Sequence, residues 1–244
     1  MIDAGLSGSR IENAVSEIDG MQNIKGILIT HEHSDHIKGT GILARKHYIP
    51  IYANEKTWNA ICGKIGEIPR ELHRVFDTGE DFYLGGIGIH PFSIPHDAAE
   101  PVGFRLWAQS VSVSIATDMG YVKKSVLHEI AGSQLCLIES NHDPKMLMEN
   151  PRYSRSLKER ILGRYGHLCN DACAKALPQM LESGIGHVIL GHLSAENNTP
   201  ELAMQTAVNT LKQEGIIPGE EMTVDIAWRD HRTAIYRVGV RHCE

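Results

Sequence analysis

The sequence predicts an α/β fold, one domain over residues 1–244 with mixed rather than purely parallel sheets. Three observations carry that expectation. Short β-rich runs alternate with helical patterns along the chain, which excludes an all-β sandwich. The adjacent runs "VGFRLWA" (102–108) and "VSVSIAT" (111–117) read as an antiparallel hairpin. No internal repeat, low-complexity tract or linker-like stretch divides the sequence.

The elements follow in order. "GILIT" (26–30) is a buried strand by its β-branched, apolar run, and a helical pattern over 37–47 leads to "PIYA" (50–53). A second helix over 54–63 precedes "GIGIHPFSI" (86–94) and the hairpin. Helix 122–131 then leads to "LCLIE" (135–139), and helices 154–163 and 170–183 lead to "HVILG" (187–191). Asn170 reads as the N-terminal cap of the helix it opens. Thr199 caps helix 200–214, with Pro200 at the first helical position. "MTVDIAW" (222–228) and "TAIYRV" (233–238) close the set as strands.

Composition narrows the class of molecule. A hydrophobic content of 42% and a charged content of 22% are ordinary for a globular enzyme. No apolar run approaches the ~20 residues that cross a bilayer, and "MIDAGLSGSR" has the features of no secretory signal. Five cysteines without framework spacing point to reduced thiols and a cytoplasmic location. A net charge of −6 argues against broad attraction to nucleic acid while leaving room for a local basic patch. Fourteen histidines are the anomaly.

Three of them, with one aspartate, fall in "THEHSDHIKG" (30–39), directly after a buried strand. His31 and His33, two residues apart, point the same way in an extended backbone and can grip one ion. Asp35 and His36 project differently and can serve a second. Imidazole and carboxylate together suit zinc, manganese or iron(II). One loop cannot complete two coordination spheres, so further donors must come from elsewhere. His96, Asp118 and His192 each stand directly past an apolar strand, where packing gives no reason for an ionisable group.

His-Glu-His-Ser-Asp-His resembles the HxHxDH signature of the metallo-β-lactamase superfamily, and "IDAG" (2–5), "PHD" (95–97), "ATD" (116–118) and "LGH" (190–192) follow in that superfamily's order. The resemblance implies a four-layer αββα sandwich and two divalent metal ions. It assigns His31, His33 and His96 to the first ion and Asp35, His36 and His192 to the second, with Asp118 bridging. Asp3 would steady the HxHxDH loop without binding metal. A bridging aspartate suits a hydrolytic dinuclear site, and two such metals can clamp both oxygens of a phosphodiester displacement.

"PHDAAEPVGF" (95–104), "IATDMGYV" (115–122), "LIESNHD" (137–143), "SLKERILGRYGHLCN" (156–170) and "LGHLSAENNTPELA" (190–203) resemble the YycJ/WalJ (VicX) branch, whose members are regarded as cytoplasmic DNA exonucleases. The implied reaction is attack on phosphorus by a hydroxide bridging the metals, with Asp35 orienting or deprotonating the water. His167 would protonate the leaving oxygen or hold the phosphate. Between Pro151 and His167 lie Arg152, Arg155, Lys158, Arg160 and Arg164 against the single acid Glu159. Of these, Arg155, Lys158 and Arg160 are the candidate contacts to DNA or another phosphodiester. His142 and the histidines at 47, 73, 90, 128, 187, 231 and 242 carry no assigned role.

The rival readings are a thioesterase or lactonase on the same ligands, and a non-enzymatic scaffold in cell-wall signalling. The branch also has an N-terminal hairpin before "IDAG", and this chain begins inside that region. The expectation is therefore an N-terminally short domain with an exposed sheet edge and reduced stability.

Overall fold

The computed structural model describes residues 1–229 and 232–239, so His231 and His242 lie outside the described residues. Its contacts divide the chain into two compact units. The first comprises Met1–Ser93 and Ala98–Val102; the second comprises Ile94–Asp97 and Gly103–Glu244.

In the first unit, β1 (Ile27–Leu28), β2 (Ile51–Ala53) and β3 (His73–Val75) form a parallel sheet in the order β1-β2-β3. Parallel neighbours need crossover connections. They are supplied by α2 (Ser34–Ile37) with α3 (Thr40–His47), and by α4 (Glu55–Ile61). The pattern over 37–47 thus resolves into two helices that meet at Lys38–Gly39. Asn54 caps α4 by accepting from the Thr57 N–H at 2.9 Å. Ile27, Ile29, Leu43, Ala44, Ile51, Ala53 and Ile61 form the core. The helix α1 (Gly8–Ser16) and the hairpin of β4 (Phe82–Leu84) with β5 (Ile87–Ser93) complete the unit.

In the second unit, β6 (Val102–Ala108) and β7 (Val111–Ala116) are the expected antiparallel hairpin. Next to β7 run β8 (Leu135–Glu139), β9 (His187–Gly191) and β10 (Thr223–Ile226), all parallel, in the order β10-β9-β8-β7-β6. α5 (Lys124–Ile130) connects β7 to β8. α6 (Pro144–Glu149), α7 (Arg155–Leu162) and α8 (Asn170–Glu182) lie between β8 and β9, and α9 (Pro200–Gln213) precedes β10. α8 packs on α9.

Ser154 and Thr199 cap α7 and α9 through their hydroxyl oxygens. Asn170 does not cap α8. The capping position falls on Cys169, and the Asn170 side chain is buried, accepting from Ser140 Oγ at 2.7 Å and donating to Asn198 Oδ1 at 2.9 Å. The tail over 232–239 forms no strand among the described residues, although its alternation reads as one. Among the described residues no helix is long and apolar enough to cross a membrane.

Candidate metal centre

The seven predicted ligands divide between the units: His31, His33, Asp35 and His36 in the first, His96, Asp118 and His192 in the second. In the first unit the loop after β1 is laced to the N-terminal segment. Ala4 N–H donates to His36 O and Gly39 N–H to Ala4 O, both at 2.7 Å. Gly5 sits so close that a Cβ there would lie 1.5 Å from the Asp35 carbonyl oxygen, so only glycine fits. Asp3, held at φ 52°, turns its carboxylate into the loop. Its Oδ1 accepts from the Thr30 N–H at 2.9 Å, and its Oδ2 accepts from Thr30 Oγ1 and His36 Nδ1, each at 2.7 Å.

That anchoring sets the histidine tautomers. An ionised carboxylate only accepts, so His36 carries its proton on Nδ1 and presents Nε2 as the lone-pair nitrogen. The Thr30 hydroxyl spends its hydrogen on Asp3 and therefore accepts from His31 Nδ1 at 2.9 Å. His31 Nε2 then converges on His33 Nδ1 at 3.0 Å, and two imidazole nitrogens at this separation suit one cation. The Asp35 side chain is 66% exposed, and its Oδ2 lies 3.8 Å from His36 Nε2.

In the second unit the strand register does the gathering. β7, β8 and β9 are parallel, with Ala116, Ile138 and Leu190 side by side. Their C-terminal ends therefore share one edge, roughly 4.8 Å apart per strand. Asp118 stands two residues beyond Ala116, Glu139 one beyond Ile138, and His192 two beyond Leu190. Asp118 and His192 leave their strands through left-handed backbone, at φ 61° and 56°. That conformation costs a non-glycine residue about 1–2 kcal/mol, and such outliers cluster at functional sites.

Glu139 is the hub. It is fully buried, and its Oε1 accepts from His192 Nδ1 at 2.7 Å and His167 Nδ1 at 2.8 Å. Its Oε2 accepts from the Met119 and Leu168 N–H groups at 2.8 and 3.1 Å. Burial alone would raise its pKa, but the bonds and charges of His167 and His192 outweigh it and hold the carboxyl well below the usual range. Asp118, Glu139, His167 and His192 each present a ligand atom within 4.8 Å of the others. His96 donates Nδ1–H to the Gly166 carbonyl at 3.1 Å, which again leaves Nε2 as the lone-pair nitrogen. Burial lowers its pKa, the neutral form a ligand needs. An imidazole and carboxylate donor set with its tautomers pinned from behind fits divalent metal.

His167 has a raised pKa: burial works against its charged form, but Glu139 and Asp118 more than compensate. The basic residues of α7 all have intramolecular partners. Arg155 pairs with Glu159 at 2.8 Å, Lys158 donates to Met148 O at 2.6 Å, and Arg160 pairs with Asp97 at 2.5 Å. Asp97 Oδ1 in turn lies 3.5 Å from His96 Nε2, so Arg160 is tethered beside that residue.

Glu139 escapes the sequence reading, although the criterion that singles out His96, Asp118 and His192 applies to it. It closes the apolar run "LCLIE". His142, left without a role, is buried with its Nδ1 3.3 Å from Asn141 Oδ1, and burial pulls its pKa down to about 4.

Residues 1–193 match a family model described as a Beta-lactamase superfamily domain. Over 225 residues the chain is 40% identical to Exodeoxyribonuclease YycJ of Bacillus anthracis, covering 92% of this chain and 85% of that protein. Exodeoxyribonuclease WalJ of Streptococcus pneumoniae is also 40% identical, covering 92% of this chain and 84% of its own length. Among solved structures, the metallo-β-lactamase fold protein YhfI from Bacillus subtilis matches with a TM-score of 0.69 at 15% identity, over 93% of this chain and 83% of that one. Zn(2+)-bound PqqB from Methylobacterium extorquens also reaches 0.69 at 15% identity, over 96% and 81%. Likenesses at such identity show the fold, the one that the HxHxDH loop implies. With a family model spanning most of its length and relatives at 40% identity along 92% of it, the chain belongs to the β-lactamase superfamily, as a metal-dependent hydrolase.

Proposed function

We propose that the chain is a dinuclear metal-dependent phosphodiesterase, an exonuclease acting on DNA. The observation that carries this reading is the 40% identity, across nearly the whole chain, to two proteins named exodeoxyribonucleases. His31, His33 and His96 would hold one ion and Asp35, His36 and His192 the other, with Asp118 shared. Bound divalent ions supply positive charge that polarises a phosphodiester and acidifies water.

The chain's own groups do the rest. Asp35 orients the attacking water and takes its proton as the water oxygen bonds to phosphorus. His167, its Nδ1–H held by Glu139, gives the proton on Nε2 to the departing ester oxygen as that P–O bond breaks. Protonation of His167 is favoured by Glu139, which suits a general acid near neutral pH. Arg155, Lys158 and Arg160 on α7 hold phosphates further along the strand.

The test is metal analysis of the purified protein followed by hydrolysis of end-labelled DNA and of a thioester. About two metals per chain and stepwise loss of nucleotides from one DNA end are expected. Turnover of the thioester with intact DNA would defeat the reading.

A further inference from the structure

We infer that the cavity of about 470 Å³ lined by Leu193, Ser194, Asn198, Pro200, Trp228 and Arg229 is a subsite for one nucleotide of a single-stranded DNA substrate. Its base stacks on Trp228 and its phosphate pairs with Arg229. The inference rests on the phosphodiesterase reading above and deepens it.

Strand register puts this cavity beside the candidate ligands. β10 pairs in parallel with β9 up to Ile226 opposite Leu190, and Ala227 N–H still donates to Leu190 O at 2.8 Å. Trp228 and Arg229 therefore leave the sheet at the edge that His192 leaves, one strand over. Leu193, which also lines the cavity, directly follows His192, and one residue spans about 3.8 Å.

Hydrogen bonds tie part of the lining to the segment around His192. Ser194 N–H donates to Asn141 O at 2.7 Å, and Asn141 Nδ2 donates to His192 O at 2.8 Å. Asn198 is buried, donates to Ser140 O and Asn141 O, and accepts from the Thr199 N–H. The subsite and the His192 backbone thus form one hydrogen-bonded piece.

The lining chemistry selects the occupant. Trp228 lines the cavity and keeps 45% of its surface exposed. Any base offers a π-face to it, so recognition tolerates sequence, as an exonuclease requires. Duplex bases already stack on their neighbours, so the fit is to a strand end that has come apart. In a chain of net charge −6, an arginine next to that indole supplies the local positive charge that a phosphate needs.

The experiment uses the metal-loaded protein and cleavage-resistant phosphorothioate oligothymidylate, compared with a base-free strand of equal length, by fluorescence anisotropy. The wild type should prefer the thymidylate strand by about tenfold or more, the scale of one base stacked on an aromatic ring. Trp228→Leu, which keeps bulk without the aromatic face, should lose the preference, and Trp228→Phe should keep it. Arg229→Ala should weaken both strands and lower the slope of log affinity against log salt by about 0.7. Equal wild-type affinity for both strands, or a preference that survives in Trp228→Leu, overturns the subsite. Wild-type hydrolysis of bis(p-nitrophenyl) phosphate is scored separately: its absence defeats the phosphodiesterase reading, whatever the strands show.

Discussion

Replacing Glu139 with Gln changes almost no volume yet removes the one acceptor on which two histidines and two backbone amides converge. The amide oxygen can face the Met119 and Leu168 N–H groups, but its NH2 then faces His167 and His192. His192 must move its proton from Nδ1 to Nε2, and His167 must give up its Nδ1 proton, to avoid donor–donor contact. Hydrogen bonds to a charged group are worth about 1.5–3 kcal/mol each, so losing two costs about 3–6 kcal/mol. Weaker bonds to the flipped rings return about 1 kcal/mol, for a net loss of about 2–5 kcal/mol. A His192 protonated on Nε2 cannot ligate, so metal affinity should fall about 10–100-fold. Chelator-competition titration gives the affinity, and denaturant unfolding gives the stability. The pH dependence has a defined sign. Because the folded Glu139 pKa is lowered, its stabilisation is full above the ordinary carboxylate value of about 4.3 and fades as pH falls below it. Glu139→Gln should lack that part of the acid slope. Metal affinity within twofold of wild type, with unchanged stability, would refute the role of Glu139 as the tautomer-setting hub.

Further expectations follow from the same geometry. Asp118→Ala should lower the affinity of both ions together, and a variant that retains two metals per chain by elemental analysis would break the bridging assignment. Arg155→Ala and Arg160→Ala should each lower the salt slope of DNA binding by about 0.7–0.9 per lost phosphate contact at unchanged metal content; an unchanged slope in the double variant removes α7 from the substrate path. Gly5→Ala should lower the melting temperature and the metal affinity together, because its Cβ collides with the Asp35 carbonyl oxygen and displaces the loop. Native thiol counting with iodoacetamide at pH 8 should modify exposed Cys62 while sparing buried Cys136 and Cys173. Burial pushes the Cys136 thiol up to about 12, and its contribution to stability, full below the ordinary thiol value of about 8.5, is lost as pH rises from there to about 12.

Much of the chain was legible from neighbouring residues alone. The hydroxyl cap at Thr199 announces α9, and apolar runs announce β7, β8 and β9, because caps and side-chain periodicity are local properties. The tail over 232–239 shows where local pattern is insufficient: it alternates like a strand but pairs with none among the described residues. Asn170 shows the same limit, since a residue suited to capping is drawn instead into buried bonds with Ser140 and Asn198.

The site divides along the same line. Residue type and position past a strand were enough to single out His31, His33, Asp35, His36, His96, Asp118 and His192 as candidate donors, since an ionisable group there has no packing purpose. Only the tertiary structure decided which nitrogen His31, His36, His96 and His192 present, and that Glu139 holds His192 together with His167. That carboxylate closes an ordinary-looking run, and its meaning appears only when β7, β8 and β9 align in parallel. Strand register and proton position are set by partners dozens of residues away, and no window of the chain contains them.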